Sequence, residues 1–304
     1  MSQREPKNIP ASVRARLLNE ARASGSSYDQ VLQYFAIERF LYRLSKTEWS
    51  ERLIVKGAIM LRAWGTPLGR PTRDIDFLGN IDNSLEAVGQ AVRECLTVEY
   101  PGDGLVFDPN IEVSEINVMD RYPGVRAVVR GSLDGGTFKL QLDIGIDDAV
   151  VPDPAWVDYP TLLDLDAPRV LAYQPLTTVA EKFETIVARG LTNSRLRDYY
   201  DLWFLPTLRP YDGVEVAAAL EATFRHRGTT LPVEVPPGLS DAFHGIVATQ
   251  AEWRSFLSSG GIEAPSELSD VCDAIILFIM PAAAAAAAAG QPFERTWEPS
   301  RGWT

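Results

Sequence analysis

The first 45 residues carry hydrophobic side chains at the spacing of α-helices. In two segments, 11–24 and 27–45, apolar residues recur every three or four positions with polar residues between them. Residues at this spacing share one face of a helix, so the chain is predicted to begin with two amphipathic helices. Gly25 is typical of the end of the first helix, and Ser27 is typical of the beginning of the second.

The middle of the chain has the two-residue period of β-strands. Segment 137–147 alternates most strictly, with apolar residues at the even positions from Phe138 to Ile146. Side chains alternate faces along a strand, so this strand is predicted to bury one face and to leave Asp143 on the other. The residues before it, 134–136, are typical of a hairpin turn. The other elements predicted here are a helix at 83–96 and strands at 111–119 and 125–131.

Helical patterns return after a proline-rich loop that extends to Pro168. We therefore predict two domains, 1–155 and 156–304, and an α+β fold with a mixed sheet, flanking helices and a helical C-terminal domain. The segment 178–181 has the Thr and Glu spacing of a capping box at a helix start. The helices predicted in this half are 175–190, 194–205, 214–224, 239–256 and 266–280.

The composition is that of a folded chain without disulfide or zinc chemistry. Of the 304 residues, 46% are hydrophobic, and the two cysteines, Cys95 and Cys272, are far apart and have no CxxC spacing. This cysteine usage fits a reducing cytoplasm. The longest apolar run, 271–289, contains Asp273 and Pro281, which favours a packed or surface helix over a membrane span.

Charge is distributed unevenly along the chain. The net charge of −12 argues against nucleic-acid binding by the whole surface. Residues 1–80 nevertheless contain 13 Lys and Arg against 8 Asp and Glu, which leaves 16 against 33 in residues 81–304. The basic part would attract a phosphate-rich ligand to the candidate site that it contains. The alternative is that these arginines cover helices and pair with acidic residues.

Two carboxylates one residue apart mark that candidate site. Asp74 and Asp76 alternate with the apolar residues Ile75 and Phe77 in a short stretch. On a strand the two aspartates would share one face, opposite the apolar pair. Adjacent anions repel each other, and a divalent cation such as Mg²⁺ or Mn²⁺ would relieve the repulsion. The alternative is a solvated strand end, because an Asp-x-Asp pair alone is a weak signal.

Two further features extend this site. Asp143 would complete a three-carboxylate metal site if its strand lies beside that of Asp74 and Asp76, and the alternative is a surface aspartate. Upstream, the apolar segment 53–61 is predicted to be a turn that enters a helix through Gly57. A glycine there would let backbone N–H groups approach a phosphate closely.

Four short motifs follow one another in the chain. They are Gly57-Ala58, Thr72-Arg73-Asp74-Ile75-Asp76, Ala180-Glu181-Lys182-Phe183 and Arg197-Asp198-Tyr199-Tyr200-Asp201-Leu202. Together they resemble the AbiEii/AbiGii toxin family of nucleotidyltransferases, within the DNA polymerase β-like superfamily. The family carries Gly or Ser where this chain has Ala58, and Ala58 lacks the hydroxyl that a serine would offer to the nucleotide. The resemblance implies a nucleotidyltransferase-like mixed sheet and a toxin of a type IV-like toxin–antitoxin pair.

The resemblance also implies roles for individual residues. Asp74, Asp76 and Asp143 would bind Mg²⁺ or Mn²⁺, and Asp143 would also activate the acceptor hydroxyl. Lys182 would be catalytically important through the triphosphate, and the charged residues of the last motif would order the nucleotide pocket or support Lys182. The residues expected at the nucleotide are Lys56, Gly57, Ala58, Thr72, Lys182, Arg197, Asp198 and Asp201.

The implied reaction transfers a nucleoside monophosphate from an NTP to an acceptor hydroxyl and releases pyrophosphate. The resemblance implies the 3′ end of tRNA, or a protein, as the acceptor, and the prediction is an RNA end, first of all that of tRNA. The implied protein partner is a cognate antitoxin. The protein is expected in the cytoplasm, without membrane contact.

Two other classes of protein remain compatible with the sequence. A glycosyltransferase would use Asp-x-Asp to bind Mn²⁺ and a nucleotide-sugar, although it would have alternating strands and helices before Asp74, where two helices are predicted. A non-catalytic binding module would keep only the fold. The joint presence of the four residues proposed for catalysis argues against it; these are Asp74, Asp76, Asp143 and Lys182.

Overall fold

The computed structural model describes residues 8–65, 72, 74–118, 122–260, 262–288 and 292–304. The chain forms two compact units. Unit 1 comprises Met1–Asp147 and Ala155–Ala172, and unit 2 comprises Asp148–Pro154 and Tyr173–Thr304. The predicted limits, 1–155 and 156–304, stay a prediction about independently folding domains.

The described part of unit 1 contains four α-helices. They are α1 (Ile9–Ser24), α2 (Tyr28–Leu44), α3 (Met60–Ala63) and α4 (Leu85–Leu96). Helices α1, α2 and α4 confirm the predictions from hydrophobic spacing. Gly25 ends α1 with a φ of 68°, and the Ser27 side chain accepts a hydrogen bond from the Gln30 N–H at the start of α2. Both ends therefore have the caps that the sequence predicts.

An eight-stranded mixed sheet forms the centre of the described part of unit 1. Its strands are β1 (Leu53–Lys56), β2 (Asp74–Gly79), β3 (Val106–Phe107), β4 (Glu112–Val118), β5 (Tyr122–Leu133), β6 (Gly136–Gly145), β7 (Ala155–Asp158) and β8 (Arg169–Ala172). Their order is β3-β5-β6-β2-β1-β8-β7, and β4 pairs with β5. Helix α2 contacts β6 and β8, and α4 contacts β4 and β5. This arrangement confirms the predicted mixed sheet with flanking helices.

The hairpin between β5 and β6 sets the register of the sheet near the candidate site. Asp134 and Gly135 have positive φ angles of 45° and 83°. A two-residue hairpin turn of type I′ has positive φ at both central positions, and Asp-Gly adopts this conformation at low cost. The turn pairs Leu133 with Gly136, and the same ladder pairs Arg126 with Asp143.

The alternation along β6 is also confirmed. Its buried face consists of Phe138, Leu140, Leu142 and Ile144. The predicted face extends too far, because the strand ends at Gly145 and Ile146 is 37% exposed.

Four short strands of unit 1 are missing from the sequence predictions, namely β1, β3, β7 and β8. The segment 53–61, predicted as a turn that enters a helix through Gly57, has that turn at Gly57–Ile59 and that helix in α3, but its first residues form strand β1. The predicted loop through Pro168 contains β7, and β8 follows directly after it. Strands of four residues are too short to show a clear two-residue period. Met119, the last residue of the predicted strand 111–119, lies outside the described residues.

The described part of unit 2 is mainly helical, as predicted. Its helices are α5 (Pro175–Arg189), α6 (Leu196–Leu208), α7 (Gly213–Arg227), α8 (Asp241–His244), α9 (Val247–Gly260) and α10 (Leu268–Ala287). A small sheet has the order β11-β10-β9 and was not predicted. Its strands are β9 (Tyr211–Asp212), β10 (Thr296–Glu298) and β11 (Gly302–Trp303).

Two predictions about the helices of unit 2 are wrong. Helix α5 begins at Pro175 after Gln174, so Thr178 and Glu181 lie inside the helix and form no capping box. A proline at the first helical position has the required φ and no N–H to satisfy, which explains the earlier start. The helix predicted at 239–256 is divided into α8 and α9.

Helix α10 is the one helix, in the described part of the chain, that is long and apolar enough to cross a membrane by length and composition. A core helix passes the same test, and α10 contacts α6, α7 and α8. Trp303 stacks on Phe278 of α10 with 5.8 Å between ring centroids and donates to the Phe278 carbonyl. These contacts favour the predicted packed helix.

Two of the basic residues in segment 1–80 are buried with acidic partners. Arg43 donates to Asp103 at 2.6 Å, and Arg39 Nη2 lies 2.8 Å from Glu38 Oε1 in an ion pair without hydrogen-bond geometry. All four side chains are 5% exposed or less. Buried charges do not attract a polyanion to the surface, so the excess of basic residues overstates the attraction expected at the candidate site.

Glu38 generates a prediction about pH. Burial raises the pKa of Glu38 to about 7 from 4.5, against the opposing effects of Arg39 and the Leu162 N–H. A carboxyl group with a raised pKa contributes stability below its unfolded pKa, and this contribution is lost as pH rises through the folded value. Relative to E38Q, the wild type should lose about 1–3 kcal/mol of unfolding free energy between about pH 4.5 and 7.5. Urea denaturation across that range measures it, and a wild-type-minus-variant difference that is constant with pH would contradict the prediction.

Candidate active site

Strand β2 carries two carboxylates on one face and two buried apolar residues on the other. Ile75 and Phe77 are 0% and 1% exposed and belong to the core of unit 1. Asp74 is exposed and Asp76 is half-buried. The predicted alternation is therefore confirmed, and the packing of Ile75 and Phe77 fixes the orientation of the face that carries the aspartates.

Four charged residues form a row across four neighbouring strands. Asp76 on β2 is in register with Asp143 on β6 and with Lys56 on β1. Asp143 is in register with Arg126 on β5. Residues paired in this way share one face of the sheet, and neighbouring strands lie about 4.8 Å apart. The row has two carboxylates at its centre and one cation at each end.

Arg126 binds Asp143 through two hydrogen bonds. Its Nε and Nη2 donate to the two carboxylate oxygens of Asp143, each at 2.7 Å. The hydrogen bonding to Asp143 raises the pKa of Arg126, against the effect of partial burial. The charges of Asp74 and Asp76 add to this rise. The guanidinium is therefore within electrostatic reach of all three carboxylates.

The sequence analysis missed Arg126 as a functional candidate. It lies in the predicted strand 125–131, between Val125 and Ala127, which are 1% and 0% exposed. An arginine between two buried residues must lie on the polar face of the strand, which gives a signal in the sequence. Its partner Asp143 follows only from the register of β5 and β6.

Gly57 lies directly against Asp76. Its φ of +76° is in the left-handed region, and a Cβ at this position would overlap Asp76 Oδ2. Any larger residue would displace that carboxylate and strain the backbone. Gly57 therefore helps to position Asp76, a role that the sequence analysis did not assign to it.

The neighbours of the two aspartates have structural contacts of their own. The Thr72 hydroxyl donates to the backbone carbonyl of Asp74 at 3.3 Å. This contact orders the entry into β2, whereas Arg73 lies outside the described residues. Lys56 and Ala58 are half-buried on either side of Gly57. Contact of these residues with a nucleotide stays a prediction.

The donor chemistry of the site fits a hard divalent cation, although the carboxylates are not assembled around one. Asp74, Asp76 and Asp143 supply oxygen donors of the kind that Mg²⁺ and Mn²⁺ prefer, on adjacent strands. Among the residues that the structure describes, no group of three or more His, Cys, Asp and Glu side chains is arranged to hold a metal ion. Both oxygens of Asp143 accept from Arg126, so a cation on Asp143 would have to share these oxygens with the guanidinium or displace it.

In unit 2, Lys182 lies between two aspartates of the following helix. Its Nζ forms an ion pair with Asp201 at 2.8 Å and a very short one with Asp198. The Lys182 and Asp198 side chains are 13% and 12% exposed, and Asp201 is fully buried. Both aspartates therefore contact Lys182 directly, whereas Arg197 of the same motif is exposed.

A second cluster of buried charges in unit 2 surrounds Arg227 at the end of α7. Its guanidinium lies 3.0 Å from Glu184 and 3.4 Å from Glu181 and from Asp148. Burial opposes the charge of Arg227, but the neighbouring carboxylates outweigh it and raise its pKa. The cluster ties segment 148–154 to α5 and α7, which gives the motif residue Glu181 a structural role.

Comparisons with known proteins give one family match and solved structures of low similarity. A family model described as "Nucleotidyl transferase AbiEii toxin, Type IV TA system" matches residues 39–288. A solved Helicobacter pylori protein, described as a candidate nucleotidyltransferase, is 14% identical, covers 86% of this chain and 96% of its own, and has a TM-score of 0.47. Another, JHP933 from Helicobacter pylori, is 14% identical, with coverages of 82% and 88% and a TM-score of 0.45. No curated protein sequence matches the chain.

Lys182 generates a prediction about stability. K182A removes the cation from between two carboxylates that are largely buried, so it should cost about 3–5 kcal/mol of unfolding free energy. The matched control is R197A, which removes an exposed cation from α6 and should change stability by about 0.5 kcal/mol or less. Chemical denaturation measures both. Equal, small losses would show that folding does not depend on the Lys182 cluster.

Proposed function

The chain belongs to the AbiEii family of nucleotidyltransferase toxins, and we propose that it transfers a nucleoside monophosphate from an NTP to an acceptor hydroxyl. The observation that carries the proposal is the placement of Asp74, Asp76 and Asp143 on two neighbouring parallel strands. The family match favours this reaction over that of a nucleotide-sugar glycosyltransferase.

Asp74 and Asp76 would hold Mg²⁺ or Mn²⁺ in this proposal, and Asp143 would be the third ligand. The two aspartates share one face of β2, and Gly57 packs against the Asp76 carboxylate. When bound, the cation would neutralise charge on the phosphates of the NTP and on the departing pyrophosphate.

Asp143 accepts the proton of the acceptor hydroxyl. The hydroxyl oxygen forms a bond to the α-phosphorus, and the bond between that phosphorus and the oxygen bridging to the β-phosphate breaks. The leaving pyrophosphate takes the electron pair of the broken bond. Proton transfer to a positioned carboxylate is a common source of rate enhancement for such a step.

The residues around Gly57 are proposed to bind the nucleotide. Backbone N–H groups of Gly57 and Ala58 would approach the phosphates, and Lys56 adds a positive charge in register with Asp76. Thr72 would act indirectly, because its hydroxyl donates to the Asp74 carbonyl and orders the strand that carries the metal ligands.

Lys182 is proposed to bind the triphosphate. Asp198 and Asp201 hold its ammonium group between them, which limits the entropy lost when a phosphate oxygen joins the contact. Arg197 is exposed and would supply a second cation for the nucleotide.

We propose that the acceptor is RNA, and that the preferred acceptor is the 3′ end of tRNA. This proposal rests on the motif resemblance. The family description names a type IV toxin–antitoxin system, which supports a cognate antitoxin as partner. The cytoplasm is the proposed location. The cysteines Cys95 and Cys272 are both free and buried, which fits a reducing compartment.

The carboxylates generate a prediction about activity. D74N, D76N and D143N should each lower nucleotidyl transfer by about 100-fold or more, because each removes a charged oxygen needed by the cation or by the transferred proton. The matched control is D147N, an exposed aspartate beyond the end of β6, which should retain activity. Steady-state transfer rates measure the effect, with circular dichroism as the check on folding. Near wild-type rates in all three variants would disprove the proposed site.

The acceptor generates a separate prediction. With Mg²⁺ and total RNA, label from an α-labelled NTP should appear in tRNA, and label from a γ-labelled NTP should leave as pyrophosphate. Electrophoresis and thin-layer chromatography distinguish the products. Label on protein alone would exclude the RNA acceptor but retain nucleotidyl transfer. The γ label on an acceptor would indicate a kinase, and no transfer from any NTP would favour a non-catalytic module.

A further inference from the structure

The ion pair between Arg126 and Asp143 uses the oxygens that the proposed metal site needs. Both carboxylate oxygens accept from the guanidinium at 2.7 Å, in the bidentate geometry that arginine makes with carboxylates. We propose that Arg126 is the counter-ion that holds Asp143 in the metal-free protein, and that a divalent cation takes its place on Asp143. This inference rests on the proposed function, since it concerns the same metal site.

The row of charges explains why a counter-ion is needed. Asp76 and Asp143 are direct neighbours in register on adjacent strands, so their negative charges repel each other. Arg126 lies beside Asp143 on the outer strand, where its charge offsets that repulsion without a metal. Asp74 and Asp76 also act on the guanidinium electrostatically. The charges of Asp74 and Asp76 thus add to the attraction that holds Arg126 at Asp143.

The exposure of the pair allows exchange. The Arg126 side chain is 36% exposed and that of Asp143 is 15% exposed, so the guanidinium borders on solvent and can leave without being buried as an isolated charge. The pair Arg43 and Asp103 differs, because its side chains are 5% and 0% exposed. A partly exposed pair contributes little free energy and is readily replaced, whereas breaking a buried pair is costly.

The consequence is that Arg126 opposes metal binding through Asp143. Removing its guanidinium should tighten metal binding, because the cation no longer competes for the carboxylate. A general electrostatic effect of Arg126 would also tighten metal binding, but it would do so equally without Asp143. The two explanations are separated by a double-mutant cycle on Arg126 and Asp143.

The experiment is a Mn²⁺ titration of the full chain, without nucleotide, by isothermal calorimetry. R126Q should tighten Mn²⁺ binding about tenfold when Asp143 is present, a size expected for one charged hydrogen-bonded contact. In the D143N background the same change should alter the affinity by about twofold or less. The matched control is R130Q, four residues along β5, which removes an exposed arginine paired with Glu112 and should not change Mn²⁺ affinity.

R126K provides a second test, because lysine keeps the charge but not the bidentate fork. It should tighten Mn²⁺ binding by less than R126Q does, and it replaces R126Q if that variant does not fold. Equal tightening with and without Asp143, or none, would overturn the inference. So would the absence of saturable Mn²⁺ binding in every variant. Nucleotidyl transfer is assayed separately, so the proposed function can stand when this inference fails.

Discussion

The repulsion between Asp76 and Asp143 is the constraint on which the candidate site depends. The parallel pairing of β2 with β6 places these carboxylates side by side, and Lys56 and Arg126 occupy the flanking positions in the same row. A fold that brings like charges together must provide cations, because unrelieved repulsion destabilises the ionised form. The protein supplies two of these cations itself, and the proposed metal would supply a third.

A hairpin turn and the packing around the carboxylates keep this row in register. The Asp134–Gly135 turn fixes the pairing of β5 with β6, so a slip of one residue there would move Arg126 to the other face. Ile75 and Phe77 anchor β2 in the core and leave no freedom for the aspartates to change faces. Gly57 fits against Asp76 only because it lacks a Cβ. The chemistry of the site thus depends on packing and turn geometry.

The sequence predicts the parts of this arrangement that arise from local periodicity. The two leading helices, the strict alternation of β6 and the shared face of Asp74 and Asp76 follow from spacing alone. The pairing of strands does not, because β2 and β6 are separated by about 60 residues and three other strands. Arg126 was missed for this reason, because only its pairing with Asp143 on the neighbouring strand indicates a role at the site. Short strands such as β1 were missed because they are too brief to show a period.

The buried charges of unit 2 bear on how a nucleotide would bind. Lys182 is accompanied by two aspartates, and Arg227 by two glutamates and an aspartate, so both clusters are net negative when ionised. The chain as a whole has a net charge of −12. Such charges do not by themselves attract a triphosphate. In the proposed reaction the divalent cation would therefore supply much of the attraction for the triphosphate. Nucleotide affinity would then depend on metal occupancy, and the proposed exchange at Asp143 would influence substrate binding as well as chemistry.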